Sequence, residues 1–135
     1  MSVKLKNRVL VIDDDQILLR VLKSWLRSAG FVPYVAESYK DGERILNEIL
    51  PDIIIIDLSV PDMHGNDFLV KVRKDPVFNQ VPIIVITGNG DEAVVIASFE
   101  NGADDFINKP FSQENFITRI KARLRRRPIG LPFGS

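Results

Sequence analysis

The chain has 135 residues, 45% of them hydrophobic and 27% charged, the size and make-up of one globular domain that can bury its own core. Its 18 Lys and Arg balance 18 Asp and Glu, which argues against a dedicated nucleic-acid or membrane-surface binder, because neither sign of charge dominates. With no cysteine and one histidine, the chain has no means of making disulfides, zinc–thiolate sites, cysteine nucleophiles or multi-histidine metal centres. No apolar run approaches the roughly 18 residues of a membrane span, and Met1–Arg8 lacks the apolar core of a signal peptide. A cytoplasmic location is therefore expected.

Apolar runs and amphipathic stretches alternate along the chain. Val9–Ile12 predicts a first strand, ending in Asp13, Asp14 and Asp15. Ile17–Ala29 has helical spacing, with Leu18, Leu22, Trp25, Leu26 and Ala29 on one face and Gly30 at the C-terminal position that favours glycine. Val32–Ala36 predicts a strand, and Pro33 places it at a sheet edge because proline donates nothing to a ladder. Ser38 followed three residues on by Asp41 marks a helix start, with Ile45, Leu46 and Ile49 as its buried face.

Four consecutive isoleucines, Ile53–Ile56, suit a strand covered on both faces, hence a central one in a parallel sheet. The stretch Ser59–Asn66, with Pro61, Asp62 and Gly65, predicts turns, and Phe68, Leu69 and Val72 mark a short helix. Ile83–Ile86 is a second fully apolar strand after Pro82. Ala93–Phe99 predicts a helix ended by Asn101 and Gly102, Phe106 and Ile107 a short fifth strand, and Phe116, Ile117, Ile120 and Leu124 a last amphipathic helix.

Strands alternating with helices imply an α/β fold, a parallel sheet with helices on both faces and right-handed crossovers. The three most apolar strands belong in the centre and the second and fifth at the edges, which fits the 2-1-3-4-5 order of the flavodoxin-like folds. There is no internal repeat and no second domain; 1–127 forms the domain, and 128–135, rich in proline and glycine, forms a tail or the start of a linker.

Asp13 and Asp14 end the first strand, Asp57 the third and Thr87 the fourth, and Lys109 follows the fifth. In a parallel sheet these positions share one rim, and ligands bind there where the strand order reverses, between strands one and three. Three carboxylates in one cleft resist ionising together. A hard divalent cation resolves this, and carboxylates with water are the usual ligands of magnesium. Three negative charges against Mg2+ and one ammonium leave the cleft near neutral, so a phosphoryl group is not repelled. Asp57 can then act as nucleophile and form an aspartyl phosphate, the cation and Lys109 stabilising charge on the transferring group. Thr87 can donate its hydroxyl to a phosphoryl oxygen, and Gly88 leaves the pocket open.

Val9–Asp15, Ile56–Leu58 with Pro61–Gly65, Ile84–Gly88 and Gly102–Phe111, in this order and spacing, resemble the receiver domain of bacterial two-component response regulators. The match runs from about Arg8 to Arg127. The resemblance implies that Asp57 is the phosphoacceptor. It also implies that Asp14 binds magnesium directly and Asp13 mainly through water, and that the backbone carbonyl of Ser59 is the third protein ligand. Thr87 and Lys109 would contact the phosphoryl group, Lys109-Pro110 would be a cis peptide bond, and Phe106 would sit at the aromatic switch position. The donor would be a histidine kinase or phosphotransfer protein. Phosphorylation would draw Thr87 inward, let Phe106 turn and change the surface of the fourth helix, fifth strand and fifth helix. In many receivers that face forms a dimer of crossed charges, here Glu100, Asp104 and Asp105 against Arg119 and Arg123. Such a domain catalyses only its own phosphorylation and slow hydrolysis.

Other readings are weaker. Gly88–Ala93 fits G-x-G-x-x-[GA], but it follows the fourth strand and puts Asp91 and Glu92 where a pyrophosphate needs positive potential. An aspartyl phosphohydrolase carries a second aspartate two residues after its nucleophile, where this chain has Ser59. A receiver that has lost phosphorylation, kept only as a binding module, conflicts with the intact acceptor set. His64 reads as an exposed loop residue, Asp15 as a helix-start residue and Trp25 as packing on the sheet. The basic run Arg119–Arg127 reads as a solvated helix face, so no direct nucleic-acid binding is expected. The output stays open between a single-domain regulator and the front piece of a longer one with a DNA-binding or enzymatic domain.

Overall fold

The computed structural model describes residues 7–125; the predicted tail at 128–135, with Arg126 and Arg127, lies outside them. The described chain runs β1 (Arg8–Ile12), α1 (Gln16–Ser28), β2 (Val32–Ala36), α2 (Tyr39–Ile49), β3 (Ile53–Asp57), α3 (Gly65–Lys74), β4 (Ile83–Thr87), α4 (Glu92–Glu100), β5 (Asp105–Asn108) and α5 (Gln113–Arg125). All strand pairs are parallel, in the order β2-β1-β3-β4-β5. The predicted strand order and edge strands are therefore observed, and β3 and β4 are buried along their whole length.

The sheet divides the core into two layers because successive strand side chains point to opposite faces. Leu10, Ile12, Ile54, Ile56, Ile83 and Val85 pack under α2 and α3, while Val9, Val11, Ile53, Ile55, Ile84 and Ile86 pack under α1 and α5. Trp25 joins the second layer through the rings of Phe111 and Phe116, with centroids 6.3 and 6.1 Å away.

Helix ends follow the local chemistry of the sequence. Asp15 caps α1 by accepting from Ile17 N and Leu18 N at 3.0 and 3.1 Å, and Ser38 caps α2 through Asp41 N at 3.0 Å. Gly30 takes a φ of +89° just after α1, a conformation that glycine adopts without penalty.

The buried face of α2 differs from the expected one. Tyr39, Gly42 and Leu46 are buried, whereas Ile45 and Ile49 are only half-buried. A Cβ on Gly42 would run into the side chain of Ile12. The glycine lets the helix axis approach β1 along this line, and Ile45 packs at the margin of the same core. Helix α4 is apolar around its whole circumference, so periodicity gives no direction to its buried face; Ser98 is its buried residue, while Ile96 and Phe99 are exposed.

Candidate functional site

The register brings the polar strand ends to one rim. Asp57 pairs with Ile86, which places Thr87 one residue beyond it on the neighbouring strand, and Ile12 pairs with Ile56, so Asp13 emerges beside Asp57. Asp13, Asp14 and Asp57 each offer an oxygen atom, and these atoms lie within 4.8 Å of one another. Asp13 and Asp57 are buried and Asp14 is exposed. The three carboxylates thus meet on one rim of the folded chain.

Lys109 reaches into the cleft from the end of β5. Its Nζ lies 2.8 Å from Asp13 Oδ2 and 3.0 Å from Asp57 Oδ2, and its backbone N–H donates to Thr87 O at 2.8 Å. Lys109-Pro110 is a cis peptide bond, as expected. Burial works against the charged ammonium, but its close contacts with the Asp13 and Asp57 carboxylates outweigh it and raise the Lys109 pKa above its ordinary value. Burial also raises the pKa of Asp13, opposed by Lys109 and the Asp15 N–H and reinforced by the charge of Asp57.

The two oxygens of Asp57 have different partners. Oδ1 accepts from Ser59 N at 3.0 Å and Ser59 Oγ at 2.9 Å, while Oδ2 faces Lys109. Thr87 is buried, and its hydroxyl accepts from Asn89 N at 3.2 Å. A Cβ on Gly88 would meet nothing within 4 Å, so the space beside Thr87 is open. Phe106 is half-buried on β5.

The donor set fits a hard cation. It consists of carboxylate oxygens, which suit magnesium in charge and type. Asp13 Oδ2 is fully buried and has no hydrogen bond; the 2.8 Å contact with Lys109 is an ion pair outside hydrogen-bond geometry. A buried carboxylate oxygen whose contact is an ion pair keeps capacity for a further partner, which suits a cation site.

His64 is exposed at the start of α3 and makes no side-chain cap hydrogen bond. Asp105 pairs with Arg119 at 2.8 Å and Arg123 at 3.3 Å, and Asp104 with Arg73 at 2.6 Å, all within the one chain.

Two further residues support the site from outside the cleft. The Tyr39 hydroxyl donates to the backbone carbonyl of Asp57, and Asp62 accepts from the N–H groups of Tyr39 and Lys40. The spacing 39, 42, 46, helical with Gly42 at its centre, was the available signal for Tyr39. Gly65 matters in a similar way. A Cβ there would lie 2.6 Å from both Cα and O of Leu58, so Gly65→Ala must push back the backbone between Asp57 and Ser59. Overpacking of this kind costs about 1–3 kcal/mol, and urea unfolding of Gly65→Ala is expected to show it. An unchanged midpoint counts against the close approach.

A five-stranded parallel sheet in the order 2-1-3-4-5, with helices on both faces and an acidic cleft at its switch point, is the flavodoxin-like architecture. The sequence profile described as the response regulator receiver domain matches residues 9–121. The chain is 34% identical over 120 residues to the phosphate regulon transcriptional regulatory protein PhoB of Escherichia coli, covering 89% of this chain and 52% of that protein. It is 37% identical over 122 residues to the DNA-binding response regulator MtrA of Mycolicibacterium paratuberculosis, covering 90% and 53%. Among solved structures, the response regulator receiver domain protein (CheY-like) of Methanospirillum hungatei superposes with a TM-score of 0.87 at 25% identity, covering 94% of this chain and 100% of that one. The chain therefore belongs to the response regulator receiver domain family of two-component signalling. It spans about half the length of PhoB and MtrA. No helix among the described residues is long and apolar enough to cross a membrane.

Proposed function

We propose that this chain is a phosphorylation-controlled switch in which Asp57 accepts a phosphoryl group from a histidine kinase or phosphotransfer protein. The observation that carries this reading is the cleft itself: three carboxylates within 4.8 Å of one another and an ammonium bridging two of them. Asp13, Asp14, Asp57 and the Ser59 carbonyl would hold magnesium, which supplies charge neutralisation at the phosphoryl oxygens.

An oxygen of Asp57 attacks phosphorus, the phosphorus–nitrogen bond to the donor histidine breaks, and its electron pair leaves with the imidazole. Lys109, already on Asp57 Oδ2, neutralises charge on the transferring group. Thr87 turns its hydroxyl to a phosphoryl oxygen and gives up the Asn89 N–H. Phe106, half-buried behind it, takes the space that Thr87 leaves. The phosphoryl group thereby biases a two-state element. The same groups admit water for slow hydrolysis of the aspartyl phosphate, and no free metabolite is turned over.

The surface read by the partner is α4, β5 and α5, where Ile96 and Phe99 stand exposed. A homodimer through this face fits those side chains. Because Asp104 and Asp105 already have arginine partners within the chain, crossed charge pairs would require an exchange of partners. The switch occupies 1–127, with 128–135 as a tail or the start of a linker, in the cytoplasm. The names and lengths of PhoB and MtrA favour a receiver that precedes a DNA-binding output domain over a single-domain regulator.

The test is direct. With magnesium and acetyl phosphate, the protein is expected to gain about 80 Da, the mass of one phosphoryl group, and Asp57→Asn is expected to show no gain. An equal gain in the variant overturns the assignment of Asp57. No gain in the wild type overturns the phosphoacceptor reading.

A further inference from the structure

The segment between Asp57 and Asp62 carries Ser59, and the first turn of α2 holds it at both ends. At one end the Tyr39 hydroxyl donates to the main-chain carbonyl of Asp57. At the other, the Asp62 carboxylate accepts from Tyr39 N and Lys40 N, both at 3.0 Å. With Asp41 N on Ser38 Oγ, the first three N–H groups of α2 are all satisfied by side chains, two of them by the distant Asp62. A carboxylate at this helix end is also favoured by the helix dipole.

The clamp is stiff where it touches the site. Tyr39 is fully buried and stacks on Phe68 of α3 with ring centroids 4.9 Å apart. Burial pushes the Tyr39 phenol above its ordinary pKa, opposed by the backbone N–H of Val60 and reinforced by Asp57, Asp62 and Asp13. It stays protonated and keeps donating. The Asp62 carboxyl lies below its ordinary value, because the N–H groups of Tyr39, Lys40 and Asp62 itself outweigh the opposing effect of burial.

We propose that Tyr39 is a positioning residue for the phosphoacceptor cleft, and that it acts with Asp62 to hold the Ser59 carbonyl and the Asp57 main chain in the geometry that binds the cation. This inference rests on the reading of the cleft as a magnesium-dependent acceptor. A segment of four residues tethered at both ends loses little further freedom when its carbonyl is taken up as a ligand, whereas an untethered one must be ordered at that moment. Groups that orient metal ligands affect affinity without touching the metal.

The experiment uses Tyr39→Phe and Asp62→Asn in the full chain, at a temperature where circular dichroism shows both variants folded. Magnesium affinity is measured by isothermal titration, and amide hydrogen exchange is followed at residues 58–61 in metal-free protein. Tyr39→Phe is expected to weaken magnesium binding by about tenfold, the lower end of the effect of losing a ligand's supporting partner, and to speed exchange at 58–61. Asp62→Asn, at an exposed position, is expected to move both in the same direction by a smaller factor. A merely structural role lowers the melting temperature and leaves magnesium affinity and loop exchange at wild-type values; that result overturns the inference alone. Wild-type protein that binds no magnesium overturns the acceptor reading and this inference with it.

Discussion

Lys109→Met is expected to destabilise the metal-free protein by about 2–4 kcal/mol, and magnesium is expected to restore much of the loss. Asp13 and Asp57 are 0% and 1% exposed, and the Lys109 ammonium within 3.0 Å of both is their shared counter-charge. Removing one partner of a buried ion pair costs about 3–5 kcal/mol, because the remaining charge is stranded. The Lys109 side chain is 24% exposed, so solvent screening brings the expected loss about 1 kcal/mol below that range. Methionine keeps the length and packing of the stem, which isolates the charge. A cation in the cleft neutralises the same carboxylates, and binding at 100 times its Kd stabilises the folded state by about 2.7 kcal/mol. Urea unfolding in a chelator and then in saturating magnesium measures both effects. The increment from magnesium is expected to be larger in Lys109→Met than in the wild type, since the variant cleft carries one more net negative charge. Equal midpoints for the two proteins in the chelator contradict the assigned charge balance.

The readability of this cleft in the sequence has a simple cause. Ile53–Ile56 and Ile83–Ile86 are apolar without interruption, so the central strands are legible, and each ends at a polar residue that the sheet geometry sends to the same rim. Asp57, Thr87 and Lys109 are thus placed by backbone topology alone. Pro33 marks β2 as an edge for an equally local reason. Tyr39, Asp62 and Arg73 are different. Their bonds go to backbone atoms between 5 and 29 residues away, and such contacts leave no period in the sequence. The face of α2 is legible only in part: Leu46 and Ile45 meet the core as their spacing indicates, whereas the close approach at Gly42 depends on the position of Ile12. Helix α4 is apolar on every side, so its sequence announces a helix without saying which side is covered.

Arg73 produces the opposite signature to Lys109, a large loss of stability with the chemistry intact. It lies in the last turn of α3, and its guanidinium gathers the chain around β4. Nε donates to Gly102 O at 2.8 Å, Nη1 to Val81 O at 2.6 Å and Phe78 O at 3.1 Å, and Nη2 meets Asp104 Oδ2 at 2.6 Å. The same Asp104 oxygen accepts from Ile83 N at 2.8 Å. Burial lowers the pKa of the guanidinium, with the charge and hydrogen bond of Asp104 opposing it, and arginine stays charged regardless. Gly102 complements the arrangement: at its φ of +116° a side chain is strained, and a Cβ would collide with the Arg73 stem. Arg73→Ala takes a donor from four carbonyls, those of Phe78, Asn79, Val81 and Gly102, and leaves Asp104 with Ile83 N but without its counter-charge, for an expected loss of about 3–5 kcal/mol. Arg73→Lys recovers only part of it, since one ammonium does not reproduce a planar fork that donates in three directions. These contacts lie at the N-terminal ends of β4 and β5, on the rim opposite Asp57. Below its melting temperature, Arg73→Ala is therefore expected to take up phosphoryl mass from acetyl phosphate as the wild type does. A loss within about 0.5 kcal/mol, the range of ordinary surface substitutions, excludes Arg73 as a structural tie. A folded variant that fails to phosphorylate shows instead that the two rims are coupled through β4.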